Sequence, residues 1–275
     1  IFGKSADQLG MLHVKQIEQL VEQGQADTAY EALDQLLALG PKNTAALKLK
    51  AALYSYEGRF EAEAAIWDQI ARIDNEDEDA ITYYYQKQIE DREHFYFTDD
   101  LPGGGRRYLA QPKAFFTAAI TSVLSCLTFV YVSVGLSKAY PQLKEATLFF
   151  GLFFLLVVGP WLRICYLYVK SLKSISVSEA AIEVATRFRQ ISFKWQDLEQ
   201  VYLASNLKTD QAQLKLVLVP KAEAQVPQVE IDLNQDSSAI RARSYLVRDI
   251  KRMFGEPTYA AFDKVPAKTK KVHIF

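Results

Sequence analysis

The chain has 275 residues and a formal net charge of −1, enough for two modest domains and a connecting element. Two cysteines and three widely separated histidines leave no disulfide framework and no Cys/His metal spacing. The small net charge hides a split: residues 1–100 carry 9 Lys and Arg against 20 Asp and Glu, residues 101–170 carry 7 against 1, and residues 171–275 carry 16 against 12. An acidic head thus precedes a basic middle and a mildly basic tail, which bears on partners rather than on fold. The chain begins with Ile1 rather than Met, which leaves room for a short leader ahead of it.

Residues 5–97 read as helix throughout, with apolar residues every three or four positions and one proline, Pro41. The stretch repeats itself at an offset of 34. Gly24 maps to Gly58, Leu33 to Trp67, Leu36 to Ile70 and Leu39 to Ile73. In the first helices His13, Leu47 and Ile81 align, as do Ile17, Ala51 and Tyr85, and Leu20, Tyr54 and Gln88. The period, with glycine between helices in QGQADTAYEALDQLLALGPKN and EGRFEAEAAIWDQIARIDNED, resembles the tetratricopeptide repeat. Two units, roughly 10–43 and 44–77, are followed by a closing helix near 78–97. Ala29 matches the small residue of the second helix, whereas Glu63 stands where that residue recurs. The resemblance implies a concave groove that binds protein partners, lined here by Val14, Glu18, Lys48, Ala52, Ser55, Thr82, Gln86 and Ile89. The acidic run from Glu76 to Asp79 lacks the glycine turn and distal glutamate of a calcium loop and reads as a solvated helix start.

LPGGGRR opens a flexible, basic joint at 101–113, which lacks the Gly-Lys-Ser/Thr ending of a phosphate loop. Two uncharged runs follow, 114–137 and 146–162, which as helices would be roughly 36 and 25 Å long. A hydrocarbon core is about 30 Å thick, so the reading is a transmembrane helical hairpin over 114–170. Arg106, Arg107 and Lys113 before it, with Arg163 and Lys170 at its end, predict both termini in the cytoplasm and a short loop outside. Arg163 is expected at the headgroups. Thr117, Ala118, Thr121, Ser122 and Ser125 form a small-residue face suited to contacts within the bilayer. Cys126 and Cys165 read as small hydrophobes of the same segment.

Beyond Lys173 short alternating runs predict strands at 174–177, 181–186, 190–195, 200–205, 213–220 and 228–233, and then an amphipathic helix over Ser237–Phe254. The stretch SISVSEAAIEVATRFRQISFKWQDLEQV, with Trp195 and Leu198, resembles the bacterial pleckstrin-homology-like domain. That implies a small β-barrel at 171–256, closed by its last helix. Arg187, Arg189 and Lys194 then join Arg106, Arg107 and Arg163 as candidate lipid-headgroup contacts. Residues 257–275 read as a loose tail whose ending KKVHIF could add a strand to a partner.

The fold class is thus multidomain: an α-helical repeat over 1–100, the joint, a transmembrane hairpin, a β-barrel with its helix, and a tail. No catalytic motif is present, and no cofactor or metal is implied. The basic residues lack interleaved aromatics, which argues against nucleic acid. The expectation is an inner-membrane-anchored adaptor or scaffold binding protein partners of an envelope complex. Alternatives are an accessory subunit of a membrane transporter or enzyme complex and a lipid-sensing module at the inner leaflet. Self-association is left open.

Overall fold

The computed structural model describes residues 13–23, 25–102, 104–110, 120, 123–124, 131, 171–206, 213–224, 226–234, 240–266 and 271–274. Five helices come first: α1 (13–22), α2 (Ala26–Leu39), α3 (Thr44–Glu57), α4 (Phe60–Ile73) and α5 (Glu78–Tyr96). Their boundaries follow local chemistry. The Asn43 side chain accepts from the Ala46 amide at 3.1 Å, and Asp77 accepts from the Asp79 and Ala80 amides at 3.1 and 3.0 Å. Each carboxylate or amide oxygen thereby satisfies a helix-start donor. Gly58 ends α3 at φ 77°. Short connections turn each helix back on its neighbour. Val14, Ile17, Ala29, Leu33, Ala46 and Leu53 form one core of the stack, and Leu47, Ile70 and Ala80 a second.

The rest is built on two five-stranded sheets. Sheet I runs β1 (Thr98–Asp100), β2 (Arg106–Leu109), β3 (Leu172–Val177), β4 (Ala181–Thr186) and β5 (Gln190–Lys194), in that order and antiparallel. Sheet II is built from β6 (Leu198–Asn206), β7 (Gln213–Pro220), β8 (Gln228–Asp232), β9 (Thr258–Ala261) and β10 (Lys271–Ile274), with α6 (Arg243–Phe254) lying between β8 and β9 in sequence. Its order is β10-β8-β7-β6-β9, the two outer strands joining in parallel. Alternating burial, as in β5 where Ile191 and Phe193 are buried between exposed neighbours, turns one face of each sheet into a shared core. Leu246 and Ile250 of α6 enter that core. The buried Tyr108 hydroxyl of β2 donates to Asp249 of α6 at 2.7 Å, tying the helix to sheet I.

Several expectations are corrected. The small closed barrel gives way to open sheets: sheet I ends on β1 and β5, and the second neighbour of β6 is β9. The glycine-rich joint is a hairpin turn inside sheet I, because Gly104 and Gly105 take φ of 88° and 98° and bring β1 onto β2. A Cβ at Gly105 would lie 2.2 Å from the Val177 carbonyl oxygen, so only glycine admits this approach. Two stretches of the loose tail are strands, β9 and β10, and Lys271–Ile274 of the ending pair with β8 of their own chain.

The transmembrane hairpin expected at 114–170 lies outside the described residues, except Ile120, Val123, Leu124 and Tyr131. Among the described residues no helix is long and apolar enough to cross a membrane. Even α5, at 19 residues, carries Glu78, Asp79, Lys87, Glu90, Asp91, Arg92 and Glu93. The two-helix anchor is therefore not among the described elements, and the inner-membrane placement and cytoplasmic termini that rested on it are withdrawn. The chain leaves β2 at Ala110 and rejoins beside it, the Ala110 amide donating to the Lys173 carbonyl at 2.9 Å.

The β1–β2 turn yields a stability test. Gly105→Ala should cost at least about 2 kcal/mol in urea unfolding, from the positive φ and the carbonyl contact. Gly40→Ala, where a Cβ meets only ordinary contacts, should stay within about 0.5 kcal/mol. Equal effects would contradict the assigned turn.

Candidate protein-binding cleft

The helical stack does not stand apart from the sheets. Gly58, at the end of α3, seats against Leu203 of β6 and Leu214 of β7, where a Cβ would come within 3.1 Å of the Leu214 side chain. Phe60, the first residue of α4, joins the sheet core. The Arg59 guanidinium lies 4.7 Å from the Tyr259 ring of β9 and pairs with Glu57 at 2.9 Å.

A seam of polar contacts joins α5 and α6. The side chain before α6, Ala242, offers no cap to the helix start. Glu90 of α5 supplies one from across the seam, its carboxylate accepting from the Ser244 amide at 2.9 Å. An anion at a helix N-terminus is favoured by both the free amides and the dipole. Lys87 donates to the Ser244 hydroxyl at 3.1 Å and pairs with Glu90 at 2.9 Å. Tyr245 donates to Asp91 at 2.6 Å and stacks on His94 with centroids 3.9 Å apart. Lys251 pairs with Glu61 at 2.8 Å, and Arg241 reaches Glu93 at 4.0 Å. Arg106 donates to the His94 ring at 2.7 Å, which needs the neutral imidazole as acceptor. Burial, and then the Arg106 and Arg248 charges, hold His94 below its ordinary value accordingly.

Between the inner faces of α3, α4 and α5 and the start of α6 remains a cleft of about 520 Å³. Glu61, Glu63, Glu90 and Glu93 face it from the helices, and Arg241, Arg243 and Arg248 from the other wall. Glu63 is the distinctive group. Burial pushes its carboxyl up to about 7, against the opposing effects of hydrogen bonds from Ser55 and Trp67 and the charge of Arg243. It therefore changes charge near neutrality.

Of the eight groove residues expected from the repeat pattern, Ser55, Gln86 and Ile89 line this cleft. Val14 is buried in the helical core, and Glu18 is exposed on α1. Lys48 is held at 2.7 Å by both Asp77 and Asp79 at the start of α5. Ala52 is half-buried, and Thr82 turns its hydroxyl back to the Glu78 carbonyl at 2.8 Å. Sequence reasoning missed the opposite wall, Arg241, Arg243, Ser244, Tyr245 and Arg248, because it belongs to a distant segment. Its one local sign was Glu63 in the place of a small residue.

The expected lipid-contact residues are not brought together. Arg187 and Arg189 flank Phe188 on the β4–β5 turn. Lys194 lies at the far end of β5, roughly 16 Å from Arg189 at 3.3 Å per residue. Arg106 pairs with Asp100, and Arg107 reaches the Ser176 hydroxyl at 3.4 Å. Arg163 and the bilayer-face residues Thr117, Ala118, Thr121, Ser122 and Ser125 lie outside the described residues, as do Cys126 and Cys165. Among the described residues no group of three or more His, Cys, Asp or Glu side chains is arranged to hold a metal ion.

No known protein family, curated protein or solved structure matches this chain. The tetratricopeptide-like and pleckstrin-like resemblances therefore rest on the residue pattern alone.

Glu63 yields a pH prediction with a definite sign. Its folded-state value, about 7, lies above the ordinary 4.5, so the folded chain binds the extra proton between these limits. Stability contributed at this site is present below about pH 4.5 and is lost as pH rises to about 7. Glu63→Gln should remove that slope and exceed the wild type at pH 8 by about 2 kcal/mol in urea unfolding. A constant difference between the two proteins from pH 5 to 8 would contradict the buried carboxyl.

Proposed function

We propose that this chain is a protein-binding adaptor whose cleft takes a segment of a partner. The observation that carries the reading is a cleft with an acidic helical wall and a guanidinium-bearing wall, both built from residues already in mutual contact. Such a surface offers acceptors to a partner's backbone and basic side chains and donors to its carbonyls and carboxylates. About 520 Å³ accommodates a few side chains rather than a whole helix, which suits an extended or turn segment. The adaptor would then act as a subunit of a larger protein assembly.

The test is affinity purification of the full chain from its native cells. Gln86→Trp fills the cleft from α5, and Glu31→Arg alters the exposed side of α2. Partners should be recovered with the wild type and with Glu31→Arg, and fall about tenfold with Gln86→Trp. Equal recovery from wild type and Gln86→Trp, or none above background, would overturn the reading.

A second reading, contact with an anionic lipid surface, is supported by Phe188, which is 78% exposed on a turn between Arg187 and Arg189. An apolar tip between cations suits headgroups of opposite charge. Sedimentation with phosphatidylglycerol vesicles should exceed that with phosphatidylcholine alone, and Phe188→Ala with Arg189→Ala should abolish the excess. Binding indifferent to lipid charge would end this reading.

A further inference from the structure

We infer that Glu63 is the subsite of the cleft that takes a basic side chain, arginine or lysine, from the bound segment, which rests on the cleft reading proposed above. The carboxylates that line the cavity are matched, with one exception, by basic side chains of the same chain. Glu61 pairs with Lys251 at 2.8 Å, Glu90 with Lys87 at 2.9 Å and Glu93 with Arg241 at 4.0 Å. Glu63 accepts hydrogen bonds from Ser55 and Trp67, both neutral. Among the described residues no lysine, arginine or histidine nitrogen lies within 4.0 Å of its carboxylate. Arg243 acts on it through charge, while its guanidinium donates to the Leu233 carbonyl at 3.3 Å and lies 5.1 Å from the Phe60 ring centroid. Arg248 lies over the Tyr245 ring at 4.4 Å.

The repeat shows what this carboxylate displaces. At the 34-residue offset Glu63 of α4 corresponds to Ala29 of α2, which is 0% exposed in the helical core. Glu63 is half-buried and lines the cavity. A carboxylate taken from water without a counter-charge opposes folding, and Glu63 holds its proton toward neutrality for that reason. A cation delivered by a ligand removes that penalty in the bound state, so the gain is made on binding and not on folding.

The surroundings suit a long cationic side chain. Phe60, Ala64, Ile89 and Ile240 supply apolar wall for its stem. Tyr83 lines the cleft near Glu63, whose charge acts on its hydroxyl, and it stacks on Trp67 with centroids 5.3 Å apart. An aromatic ring beside a carboxylate favours a guanidinium or ammonium group.

Pairing requires the ionised carboxylate. With Glu63 at about 7 in the free chain, the competent fraction is about one tenth at pH 6 and about nine tenths at pH 8. The other charged or titratable groups facing the same cavity are Glu61 from α4, Tyr83, Lys87, Glu90 and Glu93 from α5, and Arg241, Arg243, Tyr245 and Arg248 from α6 and the residues before it; α3 contributes Ser55.

The probe is a display library of random seven-residue peptides selected on the full chain, the selected peptides being resynthesised and their affinities read by fluorescence anisotropy. Peptides that bind the wild type and not Gln86→Trp occupy the cleft, and they should share arginine or lysine at one aligned position. Replacing that arginine by citrulline, or that lysine by norleucine, should weaken binding to the wild type about tenfold and binding to Glu63→Gln by less than about twofold. Affinity for the wild type should rise about tenfold from pH 6 to pH 8, while that for Glu63→Gln stays within about twofold. Glu63→Gln removes only a half-buried charge, so its circular dichroism should match the wild type and its melting temperature at pH 8 should be no lower. Cleft-binding peptides without a shared basic position, an equal citrulline or norleucine penalty in wild type and Glu63→Gln, or affinity independent of pH would overturn the inference and leave the cleft reading standing. Failure to select any peptide that distinguishes wild type from Gln86→Trp would overturn both.

Discussion

The Ser244 amide at the start of α6 needs an acceptor, and its own chain segment supplies none; Glu90, more than a hundred residues earlier, does. That bond stands at the centre of a seam where acidic α4 and α5 meet basic α6. Exposed pairs such as Lys251 with Glu61 contribute little individually, between about 0 and 1 kcal/mol. The seam gains from its less exposed parts: Phe60 in the sheet core, Tyr245 stacked on His94, and the carboxylate on helix-end amides. Asp27, Glu61 and Glu93 of the acidic head thus pair with Lys264, Lys251 and Arg241 of the second half.

The seam explains how a short helical stack can persist. Its helices bury two small cores. Here the sheets act as the missing neighbour on one side: α3 ends against β6 and β7, and α5 faces α6. The Tyr108–Asp249 bond carries the constraint onward, fixing α6 to sheet I. The inner face of α5 is thereby committed to α6 and the cleft.

Legibility followed the range of the interactions. The helices, the offset of 34 and most strands of 174–233 were readable, because each depends on side chains spaced two to four residues apart. Of the eight groove positions that the repeat resemblance implied, Ser55, Gln86 and Ile89 line the cleft and the other five do not. The glycine run could not be read correctly, since Gly105 is required by the Val177 carbonyl of β3, which comes from beyond residue 170. The closing strands were missed because β9 and β10 gain their partners only in parallel with β6 and β8. The uncharged runs of 114–162 suggested an anchor through hydropathy alone, and the described helices offer none.

The sequence by itself determined the charge split, the helical period and the alternating strands, because these are local patterns that the backbone repeats. It also singled out Glu63 as a break in the repeat. Tertiary structure alone decided what that break faces, how Glu90 is used, and that the two sheets remain open. Those outcomes depend on which distant segments share a surface. A carboxylate's burial, a helix end's acceptor and a strand's second neighbour are set by partners across space, and spacing along the chain does not encode them directly.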